Sequence, residues 1–190
     1  MAWLVYGLHA LFWAPFLVRG QLDKRSGTAQ TGPEAHRSPG ATALVWAHSL
    51  AFGVTYFGIG WGAFGGPLWP LPMPVRLLGV PIVIGTTWMI IRVMMVFRSW
   101  RLRAALQSDH QLCTEGPFRV VRHPIYTGLV LLTFASFLLV PNVLTAIGVI
   151  TNFLAGDVRA RTEEKLLAGV FGDRYTAYMA RTKRFLPGVY

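Results

Sequence analysis

Residues 125–156 read IYTGLVLLTFASFLLVPNVLTAIGVITNFLAG, an apolar stretch without a charged side chain. As a single helix it would be about 48 Å long, whereas the hydrocarbon core of a bilayer is about 30 Å thick and needs about 20 helical residues. Pro141 and Asn142 lie at its centre, and a Pro-Asn step is typical of a turn. The stretch is therefore predicted to form a tight hairpin of two helices.

Three further apolar stretches precede the hairpin, at residues 3–18, 43–65 and 77–97. The chain has 190 residues, of which 53% are hydrophobic and only 14% charged, and this is too apolar for an ordinary soluble domain. We predict an all-α polytopic membrane protein, a single domain over residues 1–190, with about five transmembrane helices. The last two form the hairpin, and cytoplasmic C-terminal helices follow over residues 158–182, separated at Gly172.

The net charge of +10 is distributed as in a membrane protein, so we predict no nucleic-acid partner. Residues 19–37, 98–122 and 159–184 hold four, five and seven Lys or Arg residues, whereas residues 66–75 hold none. With five crossings the three basic segments fall on one side, which the positive-inside rule assigns to the cytoplasm. The N-terminus is then predicted outside and the C-terminus in the cytoplasm.

The N-terminal half supports two further predictions, one for its first apolar stretch and one for the segment that follows. The first apolar stretch has no basic segment before it and no small-residue cleavage site after it, so we expect a retained helix and not a removable signal peptide. Residues 21–42 are rich in Gly, Ser, Thr and Pro, and this composition predicts a mobile surface loop.

Residues 114–128 read TEGPFRVVRHPIYTG and place polar groups where the hairpin begins. Proline suits the first turn of a helix and disfavours helical backbone in the preceding residue, so a helix is predicted to begin at Pro124, directly after His123. Free N–H groups at a helix N-terminus favour a carboxylate or phosphate ligand. Arg119 and Arg122 add positive charge there, although contact with lipid phosphates explains Arg119 equally well.

Glu163 and Glu164 follow the hairpin, and Arg159 lies one helical turn before Glu163. Because both ends of a hairpin meet at the same membrane edge, these three side chains are expected to converge with His123 and Tyr126. A pair of carboxylates there suits a cationic ligand or a metal ion. An ordinary solvated helix face has the same spacing, so spacing alone leaves both interpretations open.

Three motifs together resemble those of the isoprenylcysteine carboxyl methyltransferase family and the related phospholipid N-methyltransferases. They are HQLCTEGPFRVVRHPIYTG at residues 110–128, Arg159 with Glu163 and Glu164, and FGDRYTAYMARTKRFLP at residues 171–187. Before this region only the hydropathy is similar. The resemblance implies a methyltransferase that binds S-adenosylmethionine at the cytoplasmic edge, between the loop before the fourth crossing and the helix after the fifth.

The resemblance also implies that seven residues contact the cofactor: His110, Leu112, Phe118, His123, Pro124, Tyr126 and Glu163. Glu164 would support or share the contact of Glu163. Arg122, just before the predicted N-terminus of the helix, is added to this cofactor-binding set. No metal ion is expected. Arg159 would face the acceptor. Phe118 stands where many members of the family have Tyr, so a hydroxyl contact is lost there. Cys113, the only cysteine, stands where an aliphatic residue is common.

The methyl acceptor stays open at this point. Transfer of an activated methyl group needs chiefly alignment and the exclusion of water. Arg159 would orient a carboxylate acceptor, whereas an amine or thiol needs a base, for which His123 and Glu164 are candidates. A lipophilic or lipid acceptor would enter sideways from the membrane lipids, between helices of residues 1–100, while residues 101–190 form the cofactor-binding half.

Two other functions fit part of the pattern. Sterol-reductase-like enzymes, which use NADPH, share the RHPIY of residues 122–126 and an end similar to the LPGVY of residues 186–190. The Glu163 and Glu164 pair and the missing N-terminal helical array of the reductases favour the methyltransferase. A non-catalytic membrane scaffold or lipid-binding protein with the same fold would show no cofactor affinity.

Overall fold

The computed structural model describes residues 2–25, 34–37, 41–97, 105–107 and 112–190. Its helices are α1 (Ala2–Arg25), α2 (Ala41–Ala63), α3 (Met73–Leu77), α4 (Gly79–Val96), α5 (Pro124–Leu139), α6 (Val143–Phe171) and α7 (Asp173–Arg181). Two short strands are β1 (Glu34–Arg37) and β2 (Ala105–Gln107). His110, one of the predicted cofactor contacts, lies outside the described residues.

Four helical stretches of the described chain are long and apolar enough to cross a membrane: α1, α2, Met73–Val96 across α3 and α4, and α6. α5 is equally apolar but has only 16 residues. It rises about 24 Å, somewhat less than the thickness of a hydrocarbon core. The prediction of an all-α polytopic membrane protein is confirmed, and the last two apolar helices form its hairpin.

The hairpin turns at Pro141 and Asn142, as predicted. Asn142 is the N-cap of α6, where its side-chain oxygen accepts hydrogen bonds of 3.0 Å from the backbone N–H groups of Leu144 and Thr145. Its amide nitrogen donates a bond of 2.9 Å to the Gly58 carbonyl oxygen in α2. An Asn cap satisfies backbone donors that would otherwise have no partner at the start of a helix, so this residue both starts α6 and ties the turn to the bundle.

Small residues allow α2 to pack closely along α6. A Cβ atom at Gly148 would lie 2.1 Å from the Thr55 hydroxyl oxygen, and one at Gly58 would lie 2.8 Å from the Leu144 Cβ atom. Thr55 is fully buried at this contact. Because lipid offers little hydrophobic drive for association, close backbone approach of this kind is a principal source of helix contact in membranes.

A chain of hydrogen bonds joins α1, α2 and α5 inside the bundle. The Trp13 indole donates to the Tyr56 hydroxyl at 2.9 Å, and that hydroxyl lies 3.0 Å from His9 Nδ1. His9 Nε2 lies 2.7 Å from the Ser136 hydroxyl, which donates to the Leu132 carbonyl oxygen at 2.8 Å. Every polar atom of His9 therefore has a partner, as buried polar groups in a membrane require.

The predicted mobile surface loop at residues 21–42 is partly wrong, and its residues 26–33 and 38–40 lie outside the described residues. α1 continues to Arg25, with Arg19 and Asp23 paired one turn apart at 2.9 Å. β1 lies inside the predicted loop and pairs antiparallel with β2. Gly, Ser and Pro composition does not reveal such a strand because its partner is distant in sequence.

Beyond the hairpin, α6 runs without a break from the apolar core into the polar C-terminal region. Gly172, with φ of +54°, then separates it from α7, as predicted. Tyr175 and Tyr178 turn inward and are buried, whereas the charged residues of α7, Asp173, Arg174 and Arg181, are exposed. α7 therefore packs against α6, and Tyr178 of its aromatic face reaches the loop before α5.

Candidate active site

The loop before α5 is fixed against α7. Gly116–Arg119 forms one turn of 3-10 helix, which starts at φ of +56°. The Phe118 side chain is buried, and its ring centroid lies 5.2 Å from that of Phe97. Tyr178 donates a hydrogen bond of 2.6 Å to the Phe118 carbonyl oxygen. Leu112, at the start of this loop, is half-buried.

Residues 182–190, here called the C-terminal segment, pair with the last residues of this loop. The Arg122 N–H donates to the Lys183 carbonyl at 2.7 Å, and the His123 N–H donates to the Arg184 carbonyl at 3.1 Å. The pairing is parallel, like a fragment of a sheet. The backbone that presents His123 is therefore positioned by a part of the chain far away in sequence.

The two ends of the hairpin meet around Glu163 and Glu164. α5 begins at Pro124, which is buried, and His123 before it has non-helical backbone angles. His123 Nδ1 lies 3.6 Å from a Glu163 carboxylate oxygen, and Nε2 lies 3.3 Å from one of Glu164. Tyr126, in the first turn of α5, donates its hydroxyl to Glu163.

Glu164 is held by two arginines. Arg122 places Nε and Nη2 each 2.9 Å from Oε1 of Glu164. Arg184 places Nη2 2.7 Å from Oε2 and Nε 3.1 Å from Oε1. Arg122 also donates to the carbonyl oxygens of Met179 and Thr182 at the end of α7. This carboxylate is therefore fixed in position, and most of its acceptor capacity is used by the protein.

Glu163 is more open than Glu164, with a side chain 25% exposed against 10%. One of its oxygens accepts the Tyr126 hydroxyl, while the other lies 3.6 Å from His123, beyond ordinary hydrogen-bond length. A carboxylate has about four acceptor positions. Glu163 therefore retains the capacity to bind a cationic group.

Arg159 packs over the ring of Tyr126. Its guanidinium carbon lies 5.1 Å from the ring centroid, a cation–π distance, and the residue is 8% exposed. It lies one turn before Glu163 on the same helix. The positive charge of Arg159 therefore lies next to the carboxylates, between them and the apolar part of the bundle.

The charge on His123 follows from its neighbours. Burial lowers the pKa of His123, but the attraction of the nearby Glu163 and Glu164 carboxylates outweighs burial, so the pKa is raised above its ordinary value of 6.5. The site therefore favours the positively charged imidazolium between the two carboxylates.

A second cluster lies outside this centre; the spacing of Asp157 and Arg161, one helical turn apart, predicts their pair, but not the contacts of Arg184 and Tyr190 with it. Asp157 lies 3.0 Å from Arg184 Nη1 and 2.7 Å from Arg161 Nε, and the Tyr190 hydroxyl donates to it at 2.6 Å. Arg184 therefore links Glu164 in the site to Asp157, two turns earlier on α6. Motif reading could not find this link because it depends on where the C-terminal segment returns.

Two polar residues inside the bundle are absent from the predicted set. The His48 ring in α2 lies nearly parallel to that of Tyr126, at 22° with centroids 5.8 Å apart. Asn152, on the part of α6 that leads to Arg159, is fully buried. The available signal was the position of a histidine and an amide within apolar segments, where burying a polar residue is costly and often marks a functional site.

Comparison with known proteins points to one family. Residues 77–169 match the sequence pattern of the isoprenylcysteine carboxyl methyltransferase (ICMT) family. Protein-S-isoprenylcysteine O-methyltransferase B of Arabidopsis thaliana is 31% identical over 86 residues, which are 44% of this chain and 43% of that protein. Protein-S-isoprenylcysteine O-methyltransferase of Schizosaccharomyces pombe is 32% identical over 81 residues, 42% of this chain and 34% of that protein. The aligned region thus spans less than half the length of either relative.

Proposed function

Because residues 77–169 match the isoprenylcysteine carboxyl methyltransferase family, we propose that this chain is a member of that family and a membrane methyltransferase that uses S-adenosylmethionine to methylate a lipophilic or membrane-embedded acceptor. The observation that carries the proposal is the convergence of His123, Tyr126 and Glu163 at one end of the bundle. Charged groups at the edge of an apolar bundle are costly unless they serve a ligand. The family match favours this function over an NADPH-dependent reductase.

The described residues fit the proposed cofactor. Glu163 has free acceptor capacity for an ammonium or sulfonium group, because its second oxygen lies beyond hydrogen-bond length from His123. Within the described chain, the buried Tyr175 hydroxyl has no hydrogen-bond partner. An orphaned polar atom of this kind is expected where a polar ligand completes the site.

The roles of the remaining residues follow from their contacts. Arg122 and Glu164 are engaged with each other, so we assign them to holding the site, with Glu164 supporting Glu163. Leu112, Phe118 and Pro124 would form the apolar and backbone wall beside the cofactor. His110 stays a proposed contact from the family motif alone. When bound, S-adenosylmethionine supplies a methyl group already activated by the sulfonium charge.

The acceptor is proposed to enter from the membrane through the N-terminal half of the protein. Residues 1–100 would line its route, because α1, α2 and α4 present apolar surfaces beside the hairpin. Arg159 stands between that half and the carboxylates. It would orient the reacting group of the acceptor toward the methyl group, since alignment with water excluded is the main requirement of the transfer.

We place the site at the cytoplasmic edge of the membrane, with the N-terminus outside. The support is the distribution of Lys and Arg, which cluster at the end of the bundle where α1 finishes and α5 begins. Reporter fusions at each terminus would test this orientation. A cytoplasmic reporter signal from the N-terminus would contradict it.

Calorimetric binding to detergent-purified protein tests the function. We expect S-adenosylmethionine to bind the wild type, Glu163→Gln to bind at least tenfold more weakly, and NADPH not to bind. Glu115→Gln is the matched control, since Glu115 is exposed in the same region. Binding of NADPH alone would support the reductase, and binding of neither would support a non-catalytic scaffold.

A further inference from the structure

Arg184 contacts the proposed site with both its backbone and its side chain. Its carbonyl oxygen accepts a hydrogen bond of 3.1 Å from the His123 N–H. Its guanidinium donates to both carboxylate oxygens of Glu164, at 2.7 and 3.1 Å. Glu164 in turn lies 3.3 Å from Nε2 of His123. One residue of the C-terminal segment therefore holds the backbone of His123 and also the carboxylate that faces the His123 ring.

The Arg184 guanidinium is itself fixed by groups outside the site. Its Nη1 donates to Asp157 at 3.0 Å and to the Tyr190 hydroxyl at 2.7 Å, and that hydroxyl donates to Asp157 at 2.6 Å. Asp157 and Glu164 are seven residues apart on α6, so they lie on one face of the helix, two turns apart. Arg184 spans the distance between them. A planar guanidinium that is bonded at both ends has little freedom to turn.

The next residue of the segment supports the same part of the site. Phe185 is buried, and its carbonyl oxygen accepts a hydrogen bond of 3.0 Å from the Thr127 hydroxyl in the first turn of α5. Its ring lies edge-on to those of His123 and Tyr126, with centroids 6.2 and 6.4 Å away. The C-terminal segment therefore packs against the residues that begin α5, and Arg184 is its charged contact with α6.

Charge balance alone does not require Arg184. Arg122 already places two nitrogens 2.9 Å from Oε1 of Glu164. A buried ion pair also adds little stability over apolar side chains of the same size, because the cost of removing the charges from water offsets their attraction. What Arg184 adds is geometry, since it holds Oε2 as well as Oε1. With both oxygens held, the carboxylate has one orientation.

On the premise of the proposed function, we propose that Arg184 is a positioning residue of the cofactor site. It does not touch the cofactor and acts through Glu164. By fixing Glu164 it keeps His123 in place between the two carboxylates, where Nδ1 lies 3.6 Å from Glu163. Glu163 thereby keeps an oxygen for the positive charge of S-adenosylmethionine.

The physical reason is preorganisation. Without the Arg184 contact, Glu164 would be free to turn about the oxygen that Arg122 holds and to offer its second oxygen to His123. His123 would then shift relative to Glu163, and the site would have to reorganise when the cofactor binds. Such reorganisation weakens affinity in protein that is still folded.

The test is calorimetric binding of S-adenosylmethionine to the full-length protein in detergent. Arg184→Lys keeps the positive charge but cannot make the two-point contact, so it should raise Kd about fivefold or more. The number of binding sites per folded molecule should stay unchanged. In a Glu164→Gln background the same substitution should raise Kd by less than about twofold, because the residue through which Arg184 acts is already altered.

Arg161→Lys is the matched control. It makes the same change in a guanidinium that binds the same Asp157 and Tyr190 hydroxyl but is exposed, and its Kd should match the wild type. Tyr190→Phe is a second, milder variant, since it removes the hydroxyl that joins Arg184 to Asp157 and leaves both charges. It should raise Kd about twofold to fivefold, and it decides the question if Arg184→Lys does not fold.

Three results would overturn the inference while binding to the wild type upheld the proposed function. Wild-type Kd values in Arg184→Lys and Tyr190→Phe, with a lower Tm alone, would show that Arg184 is structural. An equal effect of Arg184→Lys with and without Glu164→Gln would show that it does not act through Glu164. An equal rise in Kd for Arg161→Lys would show that the two-point contact is not the cause. Failure of the wild type to bind S-adenosylmethionine would overturn the proposed function as well.

Discussion

Arg184 and Glu164 form a two-point ion pair, with Nη2 2.7 Å from Oε2 and Nε 3.1 Å from Oε1. Both side chains are largely buried, at 13% and 10% exposure. The third nitrogen of the same guanidinium reaches Asp157 at 3.0 Å and the Tyr190 hydroxyl at 2.7 Å. One arginine of the C-terminal segment therefore joins the carboxylate centre to a second cluster on α6.

Arg184→Ala is expected to destabilise the protein by about 2–3 kcal/mol, because it leaves two carboxylates short of a partner in a buried region. The cost stays below that of a fully stranded charge because Arg122 still binds Glu164. Arg184→Lys should recover little, since an ammonium group cannot make the two-point contact. Thermal unfolding in detergent, read by intrinsic fluorescence, measures the change.

Arg161→Ala is the matched control for Arg184. Arg161 pairs with the same Asp157 at 2.7 Å but is 56% exposed, so solvent screens the pair and its loss should lower Tm much less than the loss of Arg184. Equal effects of the two substitutions would show that burial of the Arg184 pair contributes nothing.

Tyr126→Phe should weaken S-adenosylmethionine binding by about tenfold or more. It removes the hydroxyl that orients Glu163, and a hydrogen bond to a charged group contributes about 1.5–3 kcal/mol. The ring remains, so the contact with Arg159 should persist. Calorimetry compares this variant with Tyr6→Phe, whose hydroxyl binds a backbone carbonyl in the N-terminal half. Wild-type affinity in Tyr126→Phe would mean that Glu163 is oriented without its help.

Sequence reasoning located the hairpin and the start of α5 because Pro124, Pro141 and Asn142 act locally on the backbone. It also predicted that His123 and Glu163 lie at one edge of the membrane, because both ends of a helical hairpin lie at the same edge. It could not foresee Arg184 or His48 as neighbours of these groups. Those contacts depend on how the C-terminal segment returns and on which face of α2 meets α6, and neither depends on local sequence.

The stability of the wild type should fall as pH rises above about 6.5, the ordinary pKa of a histidine, and His123 should cause part of this fall. The folded-state pKa of His123 is raised above 6.5, so its stabilising charge is fully present below the unfolded pKa. That contribution is lost as pH rises through the folded-state value. The imidazolium faces Glu163 and Glu164, which remain ionised over this range.

The measurement is Tm against pH for the wild type and for His123→Gln. The variant cannot titrate at this position, so its Tm should fall less steeply over the same range, and the two curves should converge at high pH. Parallel curves would show that His123 has the same pKa in the folded and unfolded states.

Close packing of α2 against α6 gives a prediction that is independent of the chemistry. Gly148→Ala would place a Cβ atom 2.1 Å from the Thr55 hydroxyl oxygen, so it should destabilise the protein by about 1–3 kcal/mol, as overpacking does. Thr55→Ala in the same chain removes that oxygen and should recover part of the loss, since the next Thr55 atom lies 3.1 Å away. Gly53→Ala is the control on α2, because nothing lies within 4 Å of its added Cβ atom. The measurement is thermal unfolding of the wild type, Gly148→Ala, the double variant and Gly53→Ala. If Gly148→Ala had no effect on stability, or if the double variant were no more stable than Gly148→Ala, the two helices would not pack at this distance.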